Sequence, residues 1–353
     1  MRYTCVDGFT GAGGLSLGLS RAGLDILFAF DNDPISIKTQ EINRQYFDHP
    51  LAVVDINELS RLRSCFKKIG LKKGELFLLA GGPPCQGFSV QRIGADTDKR
   101  NDLVMAYARL IDYAYPRFFL MENVPGILGS RGKLILESFL SRIEGFGYHA
   151  YVKVLNAEDY GVPQRRKRVF IIGIRNDTHR HEFVFPSTTT PAGERLTVKD
   201  VLRKLPEPPM SGNDHPSISH HRRDRLSPIN LARIRALKPG QGMEYLPAKL
   251  LANCHKAGAD KIGHRNVYGR MAWDDVAPTI TARFDSFTRG KFGHPTQDRS
   301  ITLREGALLQ TFPKDFKFSG TKVDVARQIG NAVPIKLAEI IGLQILRYYR
   351  EVV

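Results

Sequence analysis

The stretch YTCVDGFTGAGGLSLGL, residues 3–19, joins three kinds of chain in quick succession. Tyr3–Val6 is a short apolar run, a glycine-rich turn follows it, and Leu15, Leu19 and Ala22 then recur at helical spacing. Strand, tight turn and helix make the first half of a βαβ unit. The same alternation continues. Ile26–Phe30, Leu51–Val54, Leu76–Ala80 and Phe118–Met121 read as buried strands, while Leu103–Tyr115 and Leu134–Phe146 have the helical period. Strands alternating with helices predict an α/β fold with a doubly wound, mostly parallel sheet. Val169–Ile174 adds a further strand, expected to be antiparallel. Ligands of such sheets sit beyond the carboxyl ends of the strands. Three motifs fall at those ends: Gly8–Gly14, Gly81–Ser89 and Glu122–Gly126.

The chain has 353 residues, of which 42% are hydrophobic and 25% charged, a soluble and globular balance. Its formal net charge of +16 favours a polyanionic partner, nucleic acid first, although many basic proteins use such charge only for solubility. Cys5, Cys65, Cys85 and Cys254 form no C-x-x-C pair, so no zinc site, redox dithiol or disulfide framework is expected. A reducing, cytoplasmic setting fits them. No secretory segment and no apolar run near 18 residues is read from the sequence, so no membrane span is expected. Composition divides the chain into residues 1–175, the part that alternates strands and helices; 176–298, a smaller domain of irregular β structure rich in His, Arg, Pro, Gly and Thr; and 299–353, a helical segment expected to return to the first domain. Trp273, Tyr268, Phe284 and Phe287 argue that the middle part packs.

Four stretches carry candidate chemistry. In DGFTGAGGLSLGL, residues 7–19, the glycine turn suits a nucleotide-like cofactor, and Asp31, twenty residues past Gly11, is a candidate ribose ligand. Ser16 stands where the dinucleotide fingerprint needs its third glycine, so an adenosine cofactor without phosphates fits better than NAD. In LLAGGPPCQGFS, residues 78–89, Cys85 follows two glycines and two prolines at the mouth of a strand. That placement suits a nucleophilic thiolate better than a buried structural cysteine. In FFLMENVPG, residues 118–126, Glu122 ends an apolar strand, where low-dielectric walls favour a carboxyl that shares its proton. In YGVPQRRKRVFIIG, residues 160–173, alternation along an extended chain would point Arg166 and Arg168 together into the site. His220 and His221 read as surface residues, and no metal site is expected.

These motifs, in this order, resemble the DNA (cytosine-5) methyltransferase family: FTGAGG, GGPPCQGFS, MENVPG, QRRKRVFIIG, RSITLREGALLQTFP and QIGNAVP, spread between Asp7 and Pro334. The resemblance implies a methyltransferase fold using S-adenosylmethionine. It implies that Cys85 attacks C6 of a flipped cytosine, that Glu122 holds N3, that Asn123 positions the loop, and that Arg166 and Arg168 help hold the charged base. Around the cofactor it places Phe9, Gly11 and Gly13, then Asp31 with Asn32, Asp55 and Ile56, Leu103, and Asn331 with Val333. On nucleic acid it places Gln86 and Ser89, and, within APTITARFD, Thr279 and Ile280 of a target-recognition domain. The implied partners are double-stranded DNA and a restriction endonuclease acting on the same site, with the enzyme itself a monomer. One branch of the family methylates tRNA, and a catalytically dead DNA-binding scaffold is the other alternative; intact Cys85 and Glu122 speak against the scaffold, and the long Arg-rich recognition region favours duplex DNA.

Overall fold

The computed structural model describes residues 2–84, 102–252 and 267–352. Its strands are β1 (Thr4–Gly8), β2 (Asp25–Asp31), β3 (Leu51–Val53), β4 (Leu78–Gly81), β5 (Phe118–Asn123), β6 (Tyr148–Asn156) and β7 (Lys167–Arg175). They form one sheet in the order β3-β2-β1-β4-β5-β7-β6. The first five are parallel and β7 is antiparallel to both its neighbours, as the sequence predicts. Strand order reverses between β1 and β4, the switch point where open α/β sheets bind ligands. The sequence reading missed β6, an edge strand with several exposed side chains. Its residues never form the continuous apolar run that marks a strand buried on both faces.

The helices are α1 (Gly14–Arg21), α2 (Pro34–Glu41), α3 (Leu59–Lys68), α4 (Asp102–Ala114), α5 (Ser130–Gly145), α6 (Val198–Leu202), α7 (Pro228–Arg235), α8 (Leu303–Leu309), α9 (Lys322–Asn331) and α10 (Ile335–Val352). Local chemistry sets several starts. Asp33 accepts a hydrogen bond from the Ile35 amide ahead of Pro34, and capping boxes of Thr302 with Glu305 and Thr321 with Asp324 open α8 and α9.

Contacts divide the chain into two compact units. The first comprises Met1–Asn156, Lys167–Thr188 and Val333–Val353. It holds the sheet, and a core that includes Val6, Phe28, Phe66, Leu79, Phe119 and Ile171 packs beside α4 and α5 residues such as Ile111 and Phe139. Each such side chain contributes on the order of 2–3 kcal/mol by burial. On α1, a β-carbon at Gly18 would overlap that of Ala338 and lie 2.5 Å from the Ile335 carbonyl oxygen, so glycine alone lets α10 approach this closely. Among the described residues one stretch, Lys322–Val352, is long and apolar enough by composition to cross a membrane, but 67% of its apolar window is buried in the protein.

The second unit comprises Ala157–Arg166 and Thr189–Ala332. These bounds depart from the divisions at 175/176 and 298/299 read from composition. Arg165 donates its amide to the Ala277 carbonyl and Ala277 returns its amide to Pro163, which ties residues 157–166 to this unit. Where irregular β structure is expected, the described residues show loops, short helices and isolated bridges, without a strand. A small core of Ile234, Leu237, Leu246, Tyr268 and Phe287 packs there, and Phe284 is also fully buried. His221, expected at the surface, is buried, its ring nitrogens 2.9 Å from Thr302 Oγ1 and 2.8 Å from the Pro206 carbonyl.

Candidate active site

Register places three of the motifs side by side. Gly8 of β1 pairs with Gly81 of β4, and Gly81 pairs with Met121 of β5. The glycine turn, the Gly82–Pro83–Pro84 segment and Glu122 therefore follow one row of three adjacent strands, about 4.8 Å apart.

The turn after β1 is built around two aspartates. Phe9 has a left-handed φ of 58°, as do Gly11 at 54° and Gly13 at 84°. Gly11 donates its amide to Asp31 Oδ2 at 2.8 Å, and Asp33 donates its own to Asp31 Oδ1 at 2.9 Å. Burial raises the pKa of Asp31, while these amides oppose the shift. Beneath the turn, Asp7 Oδ2 accepts from Ser16 Oγ at 2.5 Å and Thr10 Oγ1 at 2.9 Å. Asp7 Oδ1 is buried with no hydrogen-bond partner among the described residues. Burial pushes the Asp7 carboxyl up to about 7, the two hydroxyls pull it down, and the Asp31 charge adds to the rise. Gln40 of α2, fully buried, donates to the Gly11 carbonyl at 2.8 Å and to Thr10 Oγ1 at 3.1 Å. Sequence reasoning missed Asp7 and Gln40; an acid at the last buried step before a glycine turn was the available signal for Asp7.

Other expected cofactor residues gather on one apolar cluster. Ile56, 2% exposed, belongs to it, and Phe9 and Leu103 pack against it. Asp55 Oδ1 accepts from the Asn57 amide at 2.8 Å and from its side chain at 3.0 Å. Asn32 is exposed and Val333 is buried in the same unit, while Asn331 ends α9 in the other.

Glu122 is the penultimate residue of β5 and has a cation beside it. Arg168 Nε lies 2.8 Å from Glu122 Oε1, and the two side chains are 12% and 11% exposed. Glu122 pairs with Phe170 across the ladder, which makes Arg168 its diagonal neighbour on the same face. Burial pulls the Arg168 guanidinium below its ordinary range, and the Glu122 carboxylate opposes that shift. Asn123 Nδ2 donates to the Pro83 carbonyl at 3.1 Å, and a β-carbon on Gly82 would lie 3.2 Å from Glu122 Oε2. The β5 end thus grips the segment that leads to residue 85. Cys85, Gln86 and Ser89 lie outside the described residues.

Arg166 does not share this site's carboxylate with Arg168. It is fully buried within the second unit, donating to the carbonyls of Ile280 at 2.8 Å, Gly330 at 2.8 Å and Ala332 at 3.1 Å. The alternation argument fails because β7 begins at Lys167, one residue too late. Ile280 is likewise a core residue with no exposed surface, so its side chain offers nothing to nucleic acid; its amide is held by Gln164 Oε1 at 2.8 Å. Thr279 keeps partial exposure and donates to the Arg165 carbonyl at 2.6 Å.

The family described as C-5 cytosine-specific DNA methylase matches residues 3–347. The type II methylase M.HgiDII of Herpetosiphon aurantiacus is 36% identical over 349 residues, covering 97% of this chain and 95% of its own. The type II methyltransferase M.AgeI of Thalassovita gelatinovora is 30% identical, with 93% and 96% covered. A crystal structure of a DNA modification methyltransferase encoded within an E. coli prophage superposes with a TM-score of 0.70 at 30% identity, covering 99% of each chain. Spodoptera frugiperda DNMT2, at 16% identity and a TM-score of 0.64, shares the fold. The chain belongs to the C-5 cytosine-specific DNA methylases and is a DNA (cytosine-5-)-methyltransferase.

Proposed function

We propose that the enzyme methylates C5 of a cytosine within a specific double-stranded DNA sequence, with S-adenosylmethionine as methyl donor and a transient covalent bond from Cys85 to C6. The observation that carries this reading is the grip of β5 on the segment preceding Cys85: Asn123 on Pro83, and Gly82 against Glu122. As a thiolate, Cys85 adds to C6, and the C5–C6 π pair becomes available at C5. Glu122 holds a proton at N3 while that charge develops, and Arg168 holds Glu122. After methylation the C5 proton leaves to a base, the C6–S bond breaks, and the ring double bond and the thiolate return. Stacked duplex shields C6 from such attack, so the cytosine must be extruded.

The glycine turn fits the donor. The Gly11 amide is occupied by Asp31, and the acids Asp7 and Asp31 surround the turn, a poor cradle for pyrophosphate and a suitable one for a cationic, phosphate-free adenosine. Asp31 would bind the ribose hydroxyls, with Asn32 beside it, and Phe9, Gly11, Gly13, Asp55, Ile56, Leu103, Asn331 and Val333 would line the rest. S-adenosylmethionine supplies an electrophilic methyl group when bound. The second unit would recognise the target sequence, with Thr279, Gln86 and Ser89 on the nucleic acid, and Arg166 serving as its internal strut. We place the enzyme, as a monomer, in the cytoplasm beside a restriction endonuclease of the same specificity.

Bisulfite sequencing of DNA from cells expressing the protein tests base, carbon and sequence context together. We expect protected cytosines at one short sequence with the natural enzyme and none with Cys85→Ala. Full protection by the variant rejects the covalent mechanism, and scattered or absent protection by the natural enzyme rejects the substrate.

A further inference from the structure

We propose that Tyr107 is a positioning residue for the methyl-transfer step: its phenol ties β4 to β5 directly beneath the ends that carry the Cys85 segment and Glu122. The inference rests on the proposed covalent mechanism and adds to it a residue outside all six motifs. Tyr107 is fully buried on α4, and its hydroxyl lies 2.9 Å from the Leu79 carbonyl oxygen and 3.0 Å from that of Leu120. Leu79 belongs to β4 and Leu120 to β5, and each lies two residues before the pair where the site begins, Gly81 and Glu122. The ladder already fixes register, with Ala80 opposite Leu120. A hydroxyl shared by both carbonyls adds a restraint that backbone pairing lacks, on the relative tilt of the two strands.

The sequence makes room for this tie. A β-carbon on Gly81 would fall 2.9 Å from Tyr107 Cε2 and 3.4 Å from Cζ, so the ring lies where a side chain at 81 would sit. Burial holds the phenol pKa well above its ordinary value, so the hydroxyl stays a donor over the working pH range. Above the tie, Asn123 holds Pro83 at 3.1 Å. Tyr107, admitted by Gly81, and Asn123 thus hold this end of the two strands, one from below and one from above the last ladder rung.

Misplacing reacting groups by a fraction of an ångström slows chemistry without weakening binding contacts made elsewhere. The test compares natural enzyme, Tyr107→Phe and Gly81→Ala on duplex DNA bearing the site found by bisulfite sequencing. Active sites are counted by covalent trapping on the same duplex containing 5-fluorocytosine. We expect the single-turnover rate per trapped site to fall about tenfold in Tyr107→Phe, with KM for DNA and for S-adenosylmethionine within about twofold. Gly81→Ala, which displaces the ring, should lose a similar factor, and the double variant should lose little more than either alone. A purely structural role would lower the number of trapped sites and leave the rate per site intact, and that result overturns the inference. So does an unchanged rate in Tyr107→Phe, which deletes one oxygen and does not depend on Gly81→Ala folding. Absence of transfer or trapping by the natural enzyme instead overturns the mechanism on which the inference stands.

Discussion

Asp7→Asn should change the pH dependence of stability in a calculable way. Asp7 is fully buried, and its carboxyl titrates near 7, against 3.8 as the ordinary value. The folded protein therefore keeps the Asp7 proton over a pH range in which the unfolded chain has already released it. Stability falls as pH rises between these limits, by about 1.4 kcal/mol per unit and roughly 4 kcal/mol in all, and this loss slows through pH 7 and levels off about one unit above it. Among the described residues the groups coupled electrostatically to Asp7, namely Asp31, Cys5 and Tyr107, are acids and offer the carboxylate no compensating cation. Asparagine cannot ionise. It keeps an oxygen for Ser16 and Thr10 and places an amide where Oδ1 lies without a partner, a pH-independent cost of about 1–3 kcal/mol. Urea unfolding of both proteins at pH 5, 6, 7 and 8 follows Asp7, because the titrations of groups not coupled to it cancel in the difference. The variant should gain on the natural protein by more than about 1 kcal/mol per unit up to pH 7 and then level off. A difference that stays constant from pH 5 to 8 refutes a buried, protonated Asp7.

Arg168→Gln leaves Glu122 without its cation at a position only 11% exposed, so we expect about 2–4 kcal/mol lost in urea unfolding and methyl transfer at least about tenfold slower. Retention of full activity would remove Arg168 from the site. Gly18→Ala forces a methyl group into Ala338 and toward the Ile335 carbonyl, and should cost about 1–3 kcal/mol by chemical denaturation while leaving KM for DNA unchanged; a neutral result would mean α10 is free to move away.

How much the sequence reveals depends on where a residue's partners lie. The central strands are legible because burial on both faces demands an unbroken apolar run, as in Phe118–Met121 and Leu78–Ala80. β6 hides because its exposed side chains interrupt that run. Glu122 and Asp31 are legible because they sit at strand ends, where a charged residue after an apolar run has few structural uses. Gln40 is not, since its role depends on the Gly11 carbonyl 29 residues away. The pairing of Arg166 with Arg168 is misread for a related reason. Period-two alternation holds only inside a strand, and β7 starts between them at Lys167. Arg168 meets Glu122 through the ladder, while Arg166 turns into carbonyls of its own unit.

The closeness of the Gly82–Pro84 segment, Glu122 and the glycine turn follows from topology more than from any one motif. β4 lies between β1 and β5, and the row Gly8, Gly81, Met121 sets the level from which the glycine turn, the Gly82–Pro84 segment and Glu122 follow. Because side chains alternate with period two, a slip of one residue in β5 would turn Glu122 to the opposite face and break its diagonal pairing with Arg168. Register must therefore be held here. Three features near this row do so at once: a glycine at 81 that admits the Tyr107 ring, the phenol shared between Leu79 and Leu120, and the Asn123 amide on Pro83. A scaffold that only bound DNA would have no use for such restraint on the relative position of β4 and β5. The proposed covalent mechanism, in which a thiol and a carboxyl meet two atoms of one pyrimidine ring, has that use.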